Sequence, residues 1–192
     1  MLIKNAVKIL KRSRSVCLYG ESGNYWLSDG AVMFPVPEFE ELGQESVMAI
    51  LSVPEKEAEK WSYAAAPLPG RFLYNGVDPA EIPLNVSDLT VRWQGVSIQP
   101  LNSETGSVFV QAFYTDVFQK DEKDVTFALR KDKNGEIYIA VKQGLMLVGI
   151  LMPLVQIANA AQFTAELLRQ SFMLGERFRE DEDGQMEMEG TT

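Results

Sequence analysis

The chain has 192 residues with 18 basic and 27 acidic side chains, a formal net charge of −9, and 46 % hydrophobic residues. This mixture is typical of a globular protein with its own core, and the length suits one domain. The sequence contains no histidine, which excludes a Ser-His-Asp triad, a Cys-His dyad and a Cys/His zinc site. We therefore expect no catalytic residues, no metal and no cofactor, and interpret the protein as non-enzymatic.

The single cysteine, Cys17, excludes a disulfide within the chain and is typical of a protein from a reducing compartment. The first residues are basic and amphipathic, and they lack the apolar run of a secretory signal. We therefore expect a cytoplasmic location without a membrane segment.

Residues 2–14 show helical periodicity and are predicted to form the first helix. One side of this helix carries an apolar stripe, formed by Ile3, Val7 and Leu10. Beside it, four basic residues recur at helical spacing: Lys4, Lys8, Lys11 and Arg12. Both an ordinary solvated surface and a surface that faces DNA phosphates are compatible with this basic stripe.

Strand and helix patterns follow in alternation. Residues 15–20 are predicted to form a strand and residues 24–36 a second one, joined by a turn at "ESGN". Helices are predicted at residues 45–51 and 55–61. The stretch "AAAPLPG" at residues 64–70 indicates a loop or linker, and it marks the candidate internal seam of a single domain over residues 1–178.

The second half is richer in strand patterns. Strands are predicted between residues 71 and 103, with Gly95 in a turn or a bulge. Residues 107–120 have an ambiguous pattern that is compatible with a strand at first and with a helix from about Ala112. The alternating residues 124–143 flank Asn134-Gly135 and predict a hairpin. A helix is predicted at residues 156–178, and the acidic residues 179–192 are predicted to be disordered. The chain shows no internal sequence repeat.

One apolar stretch, "GLMLVGILMPLV" at residues 144–155, is open to three interpretations. A membrane-spanning helix needs about twenty apolar residues, and this run is shorter and contains Pro153. A fully buried strand fits the run better, with Pro153 ending it or placing it at an edge. The third interpretation is a segment that a partner recognises.

Tyr114 and the stretches "VTFAL", "EIYIAV" and "ILMP" follow one another in the second half, and "WLSDGAVMF" lies near the N-terminus. These short motifs resemble the bacterial DNA sliding clamp, the β-subunit type of DNA polymerase processivity factor. In the last domain of that family, a helix with a tyrosine precedes strands of the V-x-L and E/P-x-x-I types and a strand ending in Met-Pro. The matching pieces here are Tyr114, "VTFAL", "EIYIAV" and "ILMP". Near the N-terminus, "WLSDGAVMF" is similar to the family's "ATDGHRLA", again after a helix and a hairpin. Residues 35–99 lie outside this resemblance.

The resemblance implies an α+β fold of antiparallel sheets with packed helices, the DNA-clamp-like or processivity fold. In the family, the two motifs line an apolar cleft that receives short partner peptides. Carried over to this chain, the cleft residues are Gly30, Met33, Ile150, Met152, Pro153 and Leu154. Methionine adapts to many partners and suits a peptide groove, but core filling is the simpler interpretation of Met33 and Met152.

Two functions follow from these observations. The first is a sliding-clamp-like interaction protein of a phage or mobile element that binds a partner peptide, duplex DNA or both. Its basic stripe would face the phosphates, and a closed ring would require a homo-oligomer. The alternative is a structural or protein-binding module that uses the clamp-like fold without binding DNA. An enzyme would instead require a polar pocket around Glu21, Tyr25 and Asp29.

Overall fold

The computed structural model describes residues 2–21, 23–36, 39–119, 124–154 and 169–170. Within these ranges the protein is mixed α+β and is dominated by one sheet of eleven strands. The predicted α+β class is therefore confirmed at this coarse level. The helix predicted after residue 156, apart from the helical pair 169–170, and the acidic tail lie outside the described residues.

Four helices precede or connect the strands in the described ranges: α1 (Leu2–Ser13), α2 (Gln44–Ile50), α3 (Glu55–Ala58) and α4 (Ala112–Gln119). The strands of the first half are β1 (Ser15–Glu21), β2 (Asn24–Ser28), β3 (Val32–Val36), β4 (Ser62–Ala66) and β5 (Ile82–Val86). Those of the second half are β6 (Val91–Trp93), β7 (Val96–Ser103), β8 (Gly106–Gln111), β9 (Val125–Lys131), β10 (Ile137–Gln143) and β11 (Met146–Leu151).

The strands lie in the order β4-β1-β2-β3-β11-β10-β9-β5-β7-β6, and β8 pairs with β7 beside this path. Only β1 and β4 run parallel; the other neighbours are antiparallel. Strand β5 joins the two parts of the sheet, because its first residues pair with β9 and its last two pair with β7.

The element order contains the same unit twice: a helix followed by three antiparallel strands. The first unit is α1 with β1, β2 and β3, and the second is α4 with β9, β10 and β11. The last strands of the two units pair with each other, and the two helices also contact each other. The fold is thus internally two-fold in arrangement, although the sequence shows no repeat.

The helices cover one face of the sheet and form the larger core there. Ile9 and Leu10 of α1 and Phe118 of α4 are buried against strand residues such as Phe34 and Leu151. The rings of Phe34 and Phe118 stack with centroids 5.2 Å apart. Because aromatic side chains bury more apolar area than other residues, this stack contributes strongly to joining the two units.

The opposite face is covered by residues 67–81, which connect β4 to β5 and which we call the strap. Leu68, Phe72 and Tyr74 of the strap pack against residues of β2, β3, β10 and β11. The ring of Phe72 lies 5.1 Å from that of Tyr138, and the ring of Tyr74 lies 5.1 Å from that of Trp26. The sheet is therefore buried on both faces at its centre.

A buried ionic network fastens the strap to the sheet. Arg130 of β9 has a fully buried side chain, and its guanidinium donates to Glu81 and to the carbonyls of Leu73 (3.4 Å), Asn75 (2.7 Å) and Gly76 (3.0 Å). Lys142 of β10 donates to the other oxygen of Glu81. Three strap carbonyls and one strap carboxylate are thus paired by two sheet residues, as buried polar groups require.

Burial of Glu81 acts to raise its pKa, but the hydrogen bonds and charges of Lys142 and Arg130 outweigh this effect and hold the pKa below its ordinary value. The carboxylate therefore stays ionised in the folded protein. A close backbone contact reinforces the network, because a Cβ at Gly76 would lie 1.7 Å from the carbonyl oxygen of Leu145. The strap can run this close to the β10–β11 turn only with glycine at this position.

Most of the local sequence predictions are confirmed, including the first helix, the helix that begins at Ala112 and the hairpin at Asn134-Gly135. The apolar run at residues 144–155 contains β11, whose last five residues are buried, and the strand ends two residues before Pro153. Among the described residues, no helix has the length and apolarity to cross a membrane.

Two predictions were wrong. Residues 24–36 do not form one strand but two, because Asp29 accepts hydrogen bonds from the Ala31 and Val32 amides and turns the chain. Residues 64–66 are not loop but the end of β4, since their backbone pairs with β1. In both cases tertiary pairing or turn chemistry outweighed the local pattern.

Candidate functional site

The first candidate surface is the solvent side of α1. Its buried side is formed by Ala6, Ile9 and Leu10, with Val7 half-buried, so that Ile9 takes the central place that the sequence assigned to Val7. The opposite side presents the four residues of the predicted stripe, all exposed: Lys4, Lys8, Lys11 and Arg12. At about 100° per residue, these four positions span roughly 100° of the helix circumference.

The basic stripe ends in a hollow between α1, α4 and the β6–β7 turn. Arg12 lies over the ring of Phe113 at 4.4 Å, a cation–π contact that ties the two helices together. The hollow has a volume of about 260 Å³ and is lined by Arg12, Gly95, Val96, Ser97, Gln111, Ala112, Phe113 and Asp116. Because Asp116 shares this hollow with Arg12, the positive potential is offset there, and Lys4 and Lys11 carry the clearer cationic surface.

The second candidate region is the place where the clamp-like motifs meet. The Tyr114 hydroxyl donates to a carboxylate oxygen of Asp29 at 3.0 Å, across 85 residues of sequence. Burial raises the pKa of Tyr114, and the Asp29 charge raises it further, so the phenol stays protonated as the donor. The other carboxylate oxygen of Asp29 holds the turn between β2 and β3. The tyrosine motif and the Ser-Asp-Gly motif are therefore in direct contact.

The Met-Pro motif joins the same region through the backbone. Ile150 pairs with Met33, and Leu151 pairs with Val32. The Met152 amide then donates to the Ala31 carbonyl at 2.8 Å. Three motifs that are far apart in the sequence thus converge where the two helix-and-three-strand units join.

The six predicted cleft residues do not share one environment. Met33 and Ile150 are 6 % and 0 % exposed and lie in the cluster that the strap covers, and Met152 packs against that cluster. Pro153 is buried, Gly30 is exposed, and Leu154 packs against Val91 and Ile98 on the far part of the sheet. A peptide could reach Met33 and Ile150 only after the strap moved away, and a peptide-binding role for the six residues stays a prediction.

The sequence did not reveal an apolar patch that the strap forms with the β10–β11 turn. Leu145 and Met146 are 79 % and 65 % exposed, Val77 is 60 % exposed and Leu73 is 38 % exposed. The contact of Gly76 with the Leu145 carbonyl places the turn beside the strap. The sequence signal for this turn was the glycine at position 144, at the start of the apolar run. In the structure Gly144 adopts a φ of 58°, so a turn and not a strand begins the run.

Two of the three polar residues named for an enzyme, Tyr25 and Asp29, bond to other parts of the chain. Asp29 is bonded as above, and the Tyr25 hydroxyl donates to the Glu40 carbonyl at 3.4 Å. The described part of the chain holds no group of three or more Cys, Asp or Glu residues placed to bind a metal ion.

Comparisons with protein-family models, with curated proteins and with solved structures each returned no match for this chain.

Proposed function

We propose that this protein is a non-enzymatic, sliding-clamp-like interaction protein that binds duplex DNA through the phosphate backbone. The observation that carries the proposal is the exposed basic stripe on α1, whose other side is fixed in the core by Ile9 and Leu10. A rigid helix that presents lysines at successive turns can contact phosphates without reading base sequence. The convergence of the three clamp-like motifs supports the same proposal.

The charge distribution is compatible with such a role. The chain has a net charge of −9, so that binding would be confined to the local positive surface of α1 and would not spread over the whole protein. Lys11 and Arg12 also lie in the last turn of α1, where positive side chains are favourable for the helix dipole. These two positive charges therefore stabilise the helix even when no nucleic acid is bound.

The test is fluorescence anisotropy of a labelled DNA duplex at several salt concentrations. The variant Lys4→Glu/Lys11→Glu reverses two exposed charges about two helical turns apart. If each lysine neutralises one phosphate, its loss should reduce the slope of log K against log salt by about 0.9, so by about 1.8 for the pair. The matched control is Lys131→Glu/Lys133→Glu, which makes the same charge change at exposed positions of the β9–β10 hairpin.

A wild-type protein that fails to bind the duplex at low salt would contradict the proposal. So would equal losses in the two double variants, because the effect would then follow from net charge and not from α1. Selective loss in the α1 variant, with a reduced salt slope, is the expected result.

A second candidate function is a protein-binding module without DNA binding. It is favoured by the apolar patch of Leu73, Val77, Leu145 and Met146, because exposed apolar groups held close together often mark an interaction surface. Absence of DNA binding by the wild type would leave this second function. Salt-sensitive binding through α1 would favour the first.

A further inference from the structure

The sheet ends at three strands that each pair with only one neighbour among the described residues: β4, β6 and β8. Such an edge carries unpaired backbone N–H and C=O groups and can accept another strand. Natural proteins usually block their edges with charged side chains, proline, bulges or covering segments. We can therefore compare how each of the three edges is protected against pairing with another strand.

At two of the edges, a group from elsewhere in the chain pairs with part of the edge backbone. At β6, the Gln170 side chain accepts from the Arg92 amide at 3.2 Å and donates to the Arg92 carbonyl at 2.9 Å, so it occupies both groups of the outward-facing residue. At β8, the Leu154 amide donates to the Phe109 carbonyl at 2.8 Å. In both contacts, hydrogen bonds go to edge backbone groups that a neighbouring strand would otherwise pair with.

Within the described ranges, no comparable contact reaches the β4 edge. The Ser62 amide donates to the Arg14 carbonyl at 3.0 Å, on the β1 side. Because successive residues of a strand point their backbone groups to alternate sides, Ala64 and Ala66 also face β1, and Tyr63 and Ala65 face outward. The strand reads "SYAAA", with no charged residue or proline, and the side chains of Ala64 and Ala65 are exposed.

We infer that β4 pairs antiparallel with β4 of a second copy of this chain across a two-fold axis. In this arrangement Tyr63 lies opposite Ala65 of the second copy, and the reverse pair is equivalent. The two pairs exchange four backbone hydrogen bonds, because each of these residues offers one donor and one acceptor. Ala64 lies on the axis and faces its own counterpart.

The composition of β4 favours a second copy as the occupant. Across a two-fold axis the central residue meets an identical residue, so a charge at that position would repel its own counterpart. Ala64 carries no charge, and no other residue of β4 does. An edge that is complementary to itself needs no other protein to satisfy its outward groups.

The dimer would place both basic stripes on one side of a continuous sheet. A two-fold axis between antiparallel strands is perpendicular to the sheet and therefore keeps the α1 side of both copies on the same face. The two β1 strands would lie three strand spacings apart, about 14 Å. The inference does not depend on the proposed DNA binding, because it rests on the β4 edge alone.

The first test is the solution mass by light scattering over a range of protein concentrations. The expected mass rises with concentration from 21.5 kDa toward twice that value. Ala64→Lys should keep the protein monomeric, because it places two lysines against each other at the axis. The matched control, Ala49→Lys, changes an exposed residue of α2 and should dimerise like the wild type.

A disulfide test complements the mass measurement. In a Cys17→Ser background, Ala64→Cys would place two thiols in a pair without cross-strand hydrogen bonds, with Cα atoms about 4.5 Å apart. That separation lies within the range that a disulfide spans. Mild oxidation should therefore yield mainly crosslinked dimer for Ala64→Cys and at least several-fold less for Ala49→Cys.

Three results would overturn the inference. The first is a monomer mass at every concentration, and the second is a dimer that persists in Ala64→Lys. The third is crosslinking of Ala64→Cys no faster than that of Ala49→Cys, which would assign any dimer to another surface. None of these three results depends on DNA binding, so the dimer and the proposed DNA binding can fail separately.

Discussion

Replacing Arg130 by methionine tests how the strap is held. The side chain of Arg130 is fully buried and is surrounded by the Glu81 carboxylate and by three strap carbonyls. Methionine keeps much of the volume of the stem, so the change removes the charge and the donors while leaving a small cavity. Glu81 keeps its contact with Lys142, but the three carbonyls lose the donor that pairs them.

The expected cost follows from these losses. Removing one partner of a buried ion pair typically costs about 3–5 kcal/mol, because the remaining charge and polar groups are left without a partner. Since Lys142 still neutralises Glu81, we expect the lower part of that range, about 3–4 kcal/mol. In urea, with a slope of about 2 kcal/mol per molar, this corresponds to a midpoint lowered by about 1.5–2 M.

The control is Lys131→Met, one residue further along the same strand. Its side chain is exposed, and an exposed substitution away from packed groups usually changes stability by less than about 0.5 kcal/mol. Both variants should be compared with the wild type by urea unfolding followed by far-UV circular dichroism. If the free energy of unfolding of Arg130→Met lies within about 1 kcal/mol of the control, the network does not stabilise the strap and our reasoning is wrong.

Three further changes have defined expectations. Because the folded pKa of Glu81 is lowered, the stability it contributes is present above its ordinary pKa of about 4.3 and is lost as pH falls through the folded pKa. The free energy of unfolding in urea should therefore differ less between the wild type and Glu81→Gln below about pH 4 than at neutral pH. Gly76→Ala should cost at least about 2–3 kcal/mol, because its Cβ would collide with backbone, whereas Gly70→Ala meets no atom within 4 Å and should be neutral or slightly stabilising in thermal unfolding. Tyr114→Phe should cost about 1.5–3 kcal/mol, because it removes a part-buried hydrogen bond to the Asp29 carboxylate.

Each of these expectations has a contradicting result. A pH-independent difference for Glu81→Gln would mean that its charge is not linked to folding. Equal thermal midpoints for the two glycine variants would show that the strap has room beside the β10–β11 turn. A Tyr114→Phe variant as stable as the wild type would remove the contact between the two motifs as a source of stability.

The local parts of this fold were predictable from the sequence because their signals are local. The pair Asn134-Gly135 adopts the turn that a two-stranded hairpin needs, with φ of 82° at the glycine. The helix that begins at Ala112 follows a change from alternating to helical periodicity. The basic stripe of α1 was likewise visible, since exposed and buried positions of an amphipathic helix follow from its spacing.

The remaining features depend on distant partners. A short run of alanines carries no pattern of its own, and it becomes strand β4 only because β1 lies beside it. A charged residue such as Arg130 is ordinarily assigned to the surface, and its burial follows from the strap carbonyls that surround it. The covering of Met33 and Ile150 by the strap has the same origin, because the sequence of the cleft motifs does not contain the segment that lies over them.

The pairing of β3 with β11 also has a consequence for the synthesis of the protein. Strand β3 ends at Val36 and β11 at Leu151, so at a typical 5–20 residues per second the ribosome needs roughly 6–23 seconds to deliver the partner strand. During that time β1, β2 and β3 can assemble, but one side of β3 stays open to other nascent chains. Pro35 lacks an amide donor and shortens the open edge to the residues around Val32 and Met33. Pro35 thus limits misassembly at β3, the strand whose partner is synthesised after the longest delay.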